Sequence, residues 1–456
     1  TVWAGEYDRE LSDLFAVQAE IAEQIVAAVH ARLTREEKAR IDRTPTSSLA
    51  AYDLYLRALD RRRPLVDLSS HLQAIALLEH AVSLDPGFAL AYALMARLHE
   101  ELFFWSFDPT TTRLALARKA AETALRQDPD RAEPHIAWAV ILYHSLRNYP
   151  EAIRELEQAR RIAPGDSLVY EWLAYVARRQ CRWRDALAYF DKTLELDPRN
   201  EIPLSQYAEC LNGLRRYADA EQAYARLASF ARHSAMTLAE RAYNLLAWRG
   251  LLQPLEAAEK EIPPDQDPRA VTSMLKYRLR LYRRDFVGAS SVILSCVHDS
   301  VGLWGGEKIP KAFYAAEALR LAGEHDKAKP LYQGARRSLE ESLHDRDEQP
   351  QNRVALAHVL AALGEKDAGH READRALAIL PDPGDSTHSV IMLALTAAFR
   401  ASVGAQDRAL DELARALALP YGLHARMVEL DPYWDSLRDD PRYKELIATH
   451  LPKDPV

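Results

Sequence analysis

A chain of 456 residues, 48% apolar and 28% charged, can bury a sizeable core and carries enough charge for solubility. Its 59 basic and 67 acidic side chains are interspersed and sum to −8, so no basic stripe offers the counterion-releasing surface that nucleic acid requires, and nucleic acid is not an expected partner. Three scattered cysteines, Cys181, Cys210 and Cys296, read as reduced core thiols rather than a disulfide framework, and no apolar run approaches the roughly 18 residues of a membrane span.

The opening TVWAGEYD sets Val2 and Ala4 against Trp3, Gly5 and Tyr7, an alternation that reads as one strand. A helix follows from Leu11: Leu14, Phe15, Val17, Ile21, Ile25, Val26 and Val29 make an apolar stripe with Glu20, Glu23 and Gln24 outside it. Thr34 and Glu37 have the spacing of a capping box for a further short helix, which Pro45 interrupts. Thr1 is not an initiator methionine, so sequence upstream is expected.

From Leu49 onward one pattern returns. In RWRDALAYFDKTLELDP, Arg182 to Pro198, the small or apolar residues Ala186, Leu187, Phe190, Leu194 and Leu196 recur at roughly helical spacing and Asp197-Pro198 ends the helix. Pro164 and Pro198 lie 34 positions apart, with Leu173, Ala174, Ala186 and Phe190 between them, and Tyr143, Ala152 and Ala159 stand at matching places before Pro164. Asp85-Pro86 and Asp128-Pro129 close two earlier units, and their wider separation places an insertion at Leu102 to Thr112. After Pro198 the next unit keeps Ala208, Ala220 and Tyr224, and a degenerate one ends near Asp267-Pro268. In the second half RRDFVGA (283–289), AGEHDKA (322–328), LGEKDAG (363–369) and VGAQDRA (403–409) each read as an inter-helix turn followed by a small residue. DSVGLWGGEKIP (299–310) and HDRDEQPQ (344–351) read as longer loops.

Helix-turn-helix units of this length and pattern resemble the tetratricopeptide (TPR) repeat. The resemblance implies an all-α fold, a TPR-like right-handed α-solenoid of about ten helix-turn-helix repeats with amino- and carboxy-terminal helical caps. WAGEYDRELSDLFAVQAEIAEQIVAAV at the start resembles the junction in large bacterial signalling proteins where a TolB-like domain runs into a TPR array, often behind an adenylate or guanylate cyclase, a kinase or a winged-helix DNA-binding domain. ELDPYWDSLRDDPRYKELI resembles the closing segment of that family, which would pack Tyr433, Trp434 and Leu437 over the last repeat and form a short capping helix over Arg442 to Ile447. The expected division is 1–48 for the amino-terminal strand and capping helices, 49–268 and 269–421 for the two halves of the array, and 422–456 for the cap.

The chain carries no GxxxxGK[ST], HExxH, GxSxG or CxxC string, so no enzymatic activity, metal or cofactor is expected. His99, Glu100 and Glu101 are helix neighbours whose side chains diverge, and a solvated helix end is the simpler reading than a metal site. WGGEK, Trp304 to Lys308, has glycines that could cradle an anion, but a plain interhelical loop is the simpler reading. Cys181 beside Arg182 reads as an interior thiol rather than a reactive one.

An array of this kind offers a concave groove lined by the first helix of each unit. Trp138, His144, Trp172, Tyr175, Arg178, Arg179, Gln206, Glu209 and Asn212 are expected to line it, and aromatic and arginine anchors among polar groups suit a protein or peptide partner. The alternative for Trp138 and Trp172 is core packing. Glu171 and Tyr175 stand where chaperone-tail arrays carry a different pattern, which argues against that ligand. The expected function is a non-catalytic scaffold serving as the sensing or assembly module of a bacterial signalling protein in the cytoplasm, or in the periplasm behind an upstream membrane span. A small-ligand-binding regulator and the regulatory part of a nucleotide cyclase are the alternatives, and homo-oligomerisation is left open.

Overall fold

A computed structural model describes residues 14–28, 34–61, 68–105, 107–231, 234–262, 270–301, 309–345, 349–380 and 386–452. The strand expected at 1–8 and the Trp304 glycine loop lie outside the described residues. What is described is helical throughout except for a two-residue antiparallel pairing of β1 (Ser300–Val301) with β2 (Ile309–Pro310), which flanks the expected long loop. No helix among the described residues is long and apolar enough to cross a membrane.

The chain forms two compact units, 1–164 and 165–456. In the first, α1 (Leu14–Ala28) and α2 (Arg35–Ile41) precede three helix pairs: α3 (Leu49–Arg61) with α4 (Leu68–Leu84), α5 (Ala89–Phe104) with α6 (Thr111–Gln127), and α7 (Ala132–His144) with α8 (Tyr149–Ile162). The second unit holds seven more pairs: α9 (Ser167–Arg179) with α10 (Trp183–Leu196), α11 (Glu201–Gly213) with α12 (Tyr217–Ala228), α13 (Ala235–Arg249) with α14 (Gln253–Glu261), and α15 (Val271–Tyr282) with α16 (Phe286–Leu294) come first. Then follow α17 (Lys311–Leu321) with α18 (His325–Asp345), α19 (Pro350–Ala362) with α20 (Lys366–Ala378), and α21 (Thr387–Ser402) with α22 (Gln406–Ala418). The expected insertion is the turn between α5 and α6, where Thr110 caps α6 by accepting from the Arg113 N–H.

Two turn devices alternate. Within a pair the chain passes through the left-handed region: Arg147, Cys181, Arg215, Gly250, Arg284, Gly323, Gly364 and Gly404 all have positive φ and each stands between a first and a second helix. At Cys181 the closure is a Schellman motif, the Arg182 N–H donating to Ala177 O at 2.8 Å and the Cys181 N–H to Arg178 O at 3.0 Å, and the same bonds recur around Arg215, Arg284, Gly323, Gly364 and Gly404. Cys181 is thus a half-exposed turn residue and not an interior thiol, whereas Cys210 and Cys296 are buried. Between pairs the chain is extended instead. Ala163 and Asp197, each before a proline, have φ of −131° and −134°, because a following proline disfavours helical backbone.

Small residues set the distance between paired helices. Ala152, Ala174, Ala186, Ala208, Ala220, Ala357 and Ala409 are fully buried, and a Cβ added at Gly369 on α20 would lie 2.7 Å from the Ala357 carbonyl of α19. The helices meet almost backbone to backbone, which leaves no room for a larger side chain.

The stripe on α1 is partly covered: none of its described side chains is buried, Ile25 is 47% exposed, and Phe15 meets Tyr52 edge-on at 4.9 Å. Trp434 and Leu437 do pack on the last pair, against Ala397, Ala401, Leu410 and Leu413, and α24 (Pro441–His450) covers them. Tyr433 does not join them but turns inward to His358, at 5.9 Å between rings.

Ala186→Leu is expected to cost on the order of 1–3 kcal/mol through overpacking, while Ala188→Leu on the exposed face of α10 stays near neutral. Equal melting temperatures for the two variants would contradict the helix contact described. At the exposed left-handed residue Arg147, replacement by glycine is expected to raise stability by about 0.5–1 kcal/mol, read by chemical denaturation.

Candidate protein-binding groove

In the second unit the first helix α13 meets α11 and α15, α19 meets α21, and α21 comes round against α9. A 3.6-residue period brings every third or fourth side chain of such a helix to the same face. On α9 that face carries Trp172 and Tyr175, both 8% exposed, whose rings meet edge-on at 5.3 Å. The Tyr175 hydroxyl donates to Glu171 Oε1 at 2.9 Å, and Tyr175 also contacts Phe190 of α10, so this aromatic pair is substantially core. One turn on, Arg178 reaches Glu209 of α11 at 3.1 Å, and Glu209 also accepts from Gln206 at 3.0 Å. Asn212 donates to Asn244 Oδ1 of α13 at 2.9 Å, and Asn244 is held in turn by the Tyr217 carbonyl. Tyr175, Arg178, Gln206 and Glu209 are therefore brought together, Asn212 belongs to a neighbouring polar pair, and Arg179 is half-buried in the last turn of α9.

At the edge of this face, where α9 turns into α10 and α11 into α12, lies the chain's own segment after α22. Tyr421 stacks on Trp183 with ring centroids 5.0 Å apart and planes 8° from parallel. Its N–H donates to the Gly213 carbonyl at 2.8 Å, and its hydroxyl accepts from Arg178 at 3.4 Å. A Cβ at Gly213 would run into the Tyr421 ring. Arg215 donates from one nitrogen to the carbonyls of Leu417, Leu419 and Leu423, at 2.6, 3.1 and 3.1 Å. Further along, Met427 and Leu430 of α23 (Ala425–Leu430) pack with the α13 and α15 core. Asp431 lies near Arg278, Tyr433 hydrogen-bonds Tyr277, and Arg284 pairs with Asp435 at 2.6 Å.

The electrostatics fit a wall that is polar but largely dry. Burial raises the Asp431 carboxyl above its ordinary value, opposed by the Tyr433 N–H and by Arg278 and Arg284. Burial pushes Glu317 the same way, yet Arg320 and His358 outweigh it and hold this carboxyl well below its usual range. His424, whose Nδ1 shares a hydrogen bond with the Tyr217 hydroxyl at 2.8 Å, is lowered to about 3 by burial and by the Arg215 charge, so it is neutral where it sits.

In the first unit Trp138 is partly buried against the core built around Leu94, Leu98 and Ile141. His144 stacks on Phe104 at 3.8 Å and hydrogen-bonds Glu100 Oε1 at 3.1 Å. His99, Glu100 and Glu101 diverge, but not at a solvated helix end, since His99 and Glu100 are buried: His99 meets Arg113 at 2.9 Å, Glu100 meets His144 and Ser145, and Glu101 meets His71 at 3.0 Å. No group of three metal-ligating side chains is found among the described residues. The residues absent from the expected groove are Trp183, Gly213, Arg215 and Tyr217, together with their occupant around Tyr421. Their only local signals were a glycine at the end of α11 and the Pro420-Tyr421-Gly422 turn.

Acid should loosen the contact at His424. The packed state does not take up a proton until about pH 3, whereas a released histidine does so near 6.5, so stability falls as pH drops below 6.5. Between pH 7 and 5 the second unit is expected to lose on the order of 1–2 kcal/mol that a His424→Gln variant keeps. Parallel pH profiles of denaturation for the two proteins would contradict the assignment.

Residues 167–200 match the family model for the tetratricopeptide repeat. A protein of Rhizobium meliloti (strain 1021) named "Putative adenylate cyclase 3" is 33% identical over 157 residues, which cover 33% of this chain and 26% of that protein. The chain thus spans about a quarter of that relative's length. Among solved structures, a thermophilic TPR protein of Thermus thermophilus aligns over 43% of this chain and all of its own, at 17% identity and a TM-score of 0.37. The human IFIT1 dimer with m7Gppp-AAAA aligns over 80% of this chain and 77% of its own, at 14% identity and a TM-score of 0.45. These scores are too low to establish a shared global arrangement. One tetratricopeptide unit is matched at 167–200, and ten helix pairs of similar build follow one another among the described residues, the arrangement of a protein with TPR repeats.

Proposed function

We propose that this chain is a non-catalytic scaffold whose inner helix faces bind a segment of a partner protein. The observation that carries the reading is that the inner face of the second unit holds polypeptide, gripping it by an aromatic stack, by arginines and by main-chain bonds. Arg179, Gln206 and Glu209 in the second unit, and Trp138 and His144 in the first, are the side chains proposed to meet the partner. The likeness to the named adenylate cyclase supports a finer reading, that the array is the sensing or assembly module of a bacterial signalling protein whose output is nucleotide cyclisation. Three free thiols fit a reducing compartment such as the cytoplasm.

Ile202 is half-exposed on α11, one turn before Gln206 and two before Glu209, and so samples the same face. With a photo-crosslinking residue at Ile202, a discrete partner protein is expected to be captured in cells, and the same residue at Lys192 on the outer helix α10 should not capture it. Equal capture from both positions, or capture from neither, contradicts the scaffold reading.

A further inference from the structure

Arg400 on α21 is fully buried, and its guanidinium joins three helices. Its Nε donates to Glu412 Oε1 of α22 at 2.8 Å, one terminal nitrogen donates to Asp374 of α20 at 2.5 Å, and the other meets Nδ1 of His370, also on α20, at 2.9 Å. A guanidinium has hydrogens to give and no lone pair to receive one, so this contact requires the His370 ring to keep Nδ1 bare. Asp374 is shared with Arg408 of α22 at 2.7 Å. Glu412 is left half satisfied: the residue is 8% exposed, and its Oε2 is buried with no hydrogen-bond partner. Beside a buried guanidinium that oxygen is an unfilled place for a second N–H, since arginine and carboxylate pair best through two parallel bonds.

The charges around His370 are mixed. Arg400 from α21 and Arg408 from α22 act on it, and Asp367 and Asp374 lie one turn away on either side along its own helix. From α19 come Arg353, paired with Glu372 at 2.5 Å, and His358, which meets the Phe399 ring edge-on as His370 does. Burial and the two arginines lower the proton affinity of His370, which leaves the half-buried ring neutral in this arrangement.

We propose that His370 is a proton-operated clasp between the last two helix pairs, one cluster with two arrangements. With the ring neutral, Arg400 divides its hydrogens among Glu412, His370 and Asp374 and ties the pair α21–α22 to α20 of the pair before it. When the ring takes a proton from solvent, Nδ1–H no longer suits Arg400 and turns to Asp374, four residues further along α20. Arg400 then closes on both oxygens of Glu412, filling the place at Oε2. The joint between pairs is lost while the bond within the pair α21–α22 is strengthened, so acid frees one pair from the next and leaves each intact. Because the folded ring holds a proton less well than a free one, the clasp is closed above about pH 6.5 and yields as pH falls below it. This holds whether or not the inner face binds a partner.

The test follows amide hydrogen exchange of the full chain by mass spectrometry at pH 7.5 and 5.5, each rate divided by that of unstructured peptide at the same pH. Fragments from α20 are expected to lose about threefold in protection at pH 5.5, within the roughly tenfold that one proton supplies a pH unit below 6.5, whereas α9 and α10 keep theirs. A change at His424 registers in fragments from α23 instead. His370→Gln, whose side-chain oxygen accepts from Arg400 but takes no proton, should show no such loss. Asp374→Asn, at an exposed position, removes the acceptor of the protonated ring and should move the loss to lower pH, which a merely structural contact would not do. Unchanged protection of α20 in the wild type, or a loss as large in His370→Gln, overturns the clasp. Where His370→Gln fails to fold, a loss in Asp374→Asn at the wild-type pH does the same.

Discussion

The architecture depends on how closely two helices of a pair approach. With Ala186, Ala208, Ala220 and Ala409 fully buried, and Gly369 almost touching the Ala357 carbonyl, the pairs pack with side chains of one carbon or none. Such an approach buries little apolar area by itself. Its consequence is geometric, because the larger side chains on the remaining faces, such as Phe190, Leu194 and Leu204, are left to join one pair to the next. Stability then accumulates from neighbour to neighbour, and the ends of each row of pairs must be closed by something other than another pair.

In the second unit that closure comes from the chain's own carboxy-terminal segment. Trp434 and Leu437 seal the last pair as a cap does, while the preceding residues turn inward and meet helices that are distant in sequence. The same twenty or so residues therefore meet both the last pair and helices far away in sequence. The Trp434 end is apolar and fully buried, the kind of packing that gives way only with global unfolding. The Tyr421 end is polar and rich in main-chain bonds, and Ala425 and Val428 tie it into the same buried core as Trp434.

Much of the repeat could be read from the chain and little of the closure. The pre-proline ends at Ala163 and Asp197, the buried alanines, and the left-handed glycines at 323, 364 and 404 all sit where local pattern put them, since each answers to a neighbour within one helix pair. Arg147, Cys181, Arg215 and Arg284 hold the same turn without glycine, and there only the repeat spacing pointed to the conformation. Of the groove residues, Arg178, Gln206 and Glu209 were placed on one face by helical period. Tyr421 against Trp183 could not be, because the pairing joins residues more than two hundred positions apart and follows from how seven pairs curve, which no local signal reports. Gly213 shows the difference plainly: in the sequence it reads as a helix end, and in the fold it makes room for a tyrosine ring.

The central claim, that the inner face of the second unit holds the Tyr421 segment, is tested most directly by a double-mutant cycle between Trp183 and Tyr421. Denaturation of Trp183→Ala, Tyr421→Ala and the double variant should give a coupling of about 0.5–1.5 kcal/mol, as for stacked aromatic rings. Single-variant effects that simply add, to within about 0.3 kcal/mol, would mean that the two rings do not meet in solution and that the face stands empty.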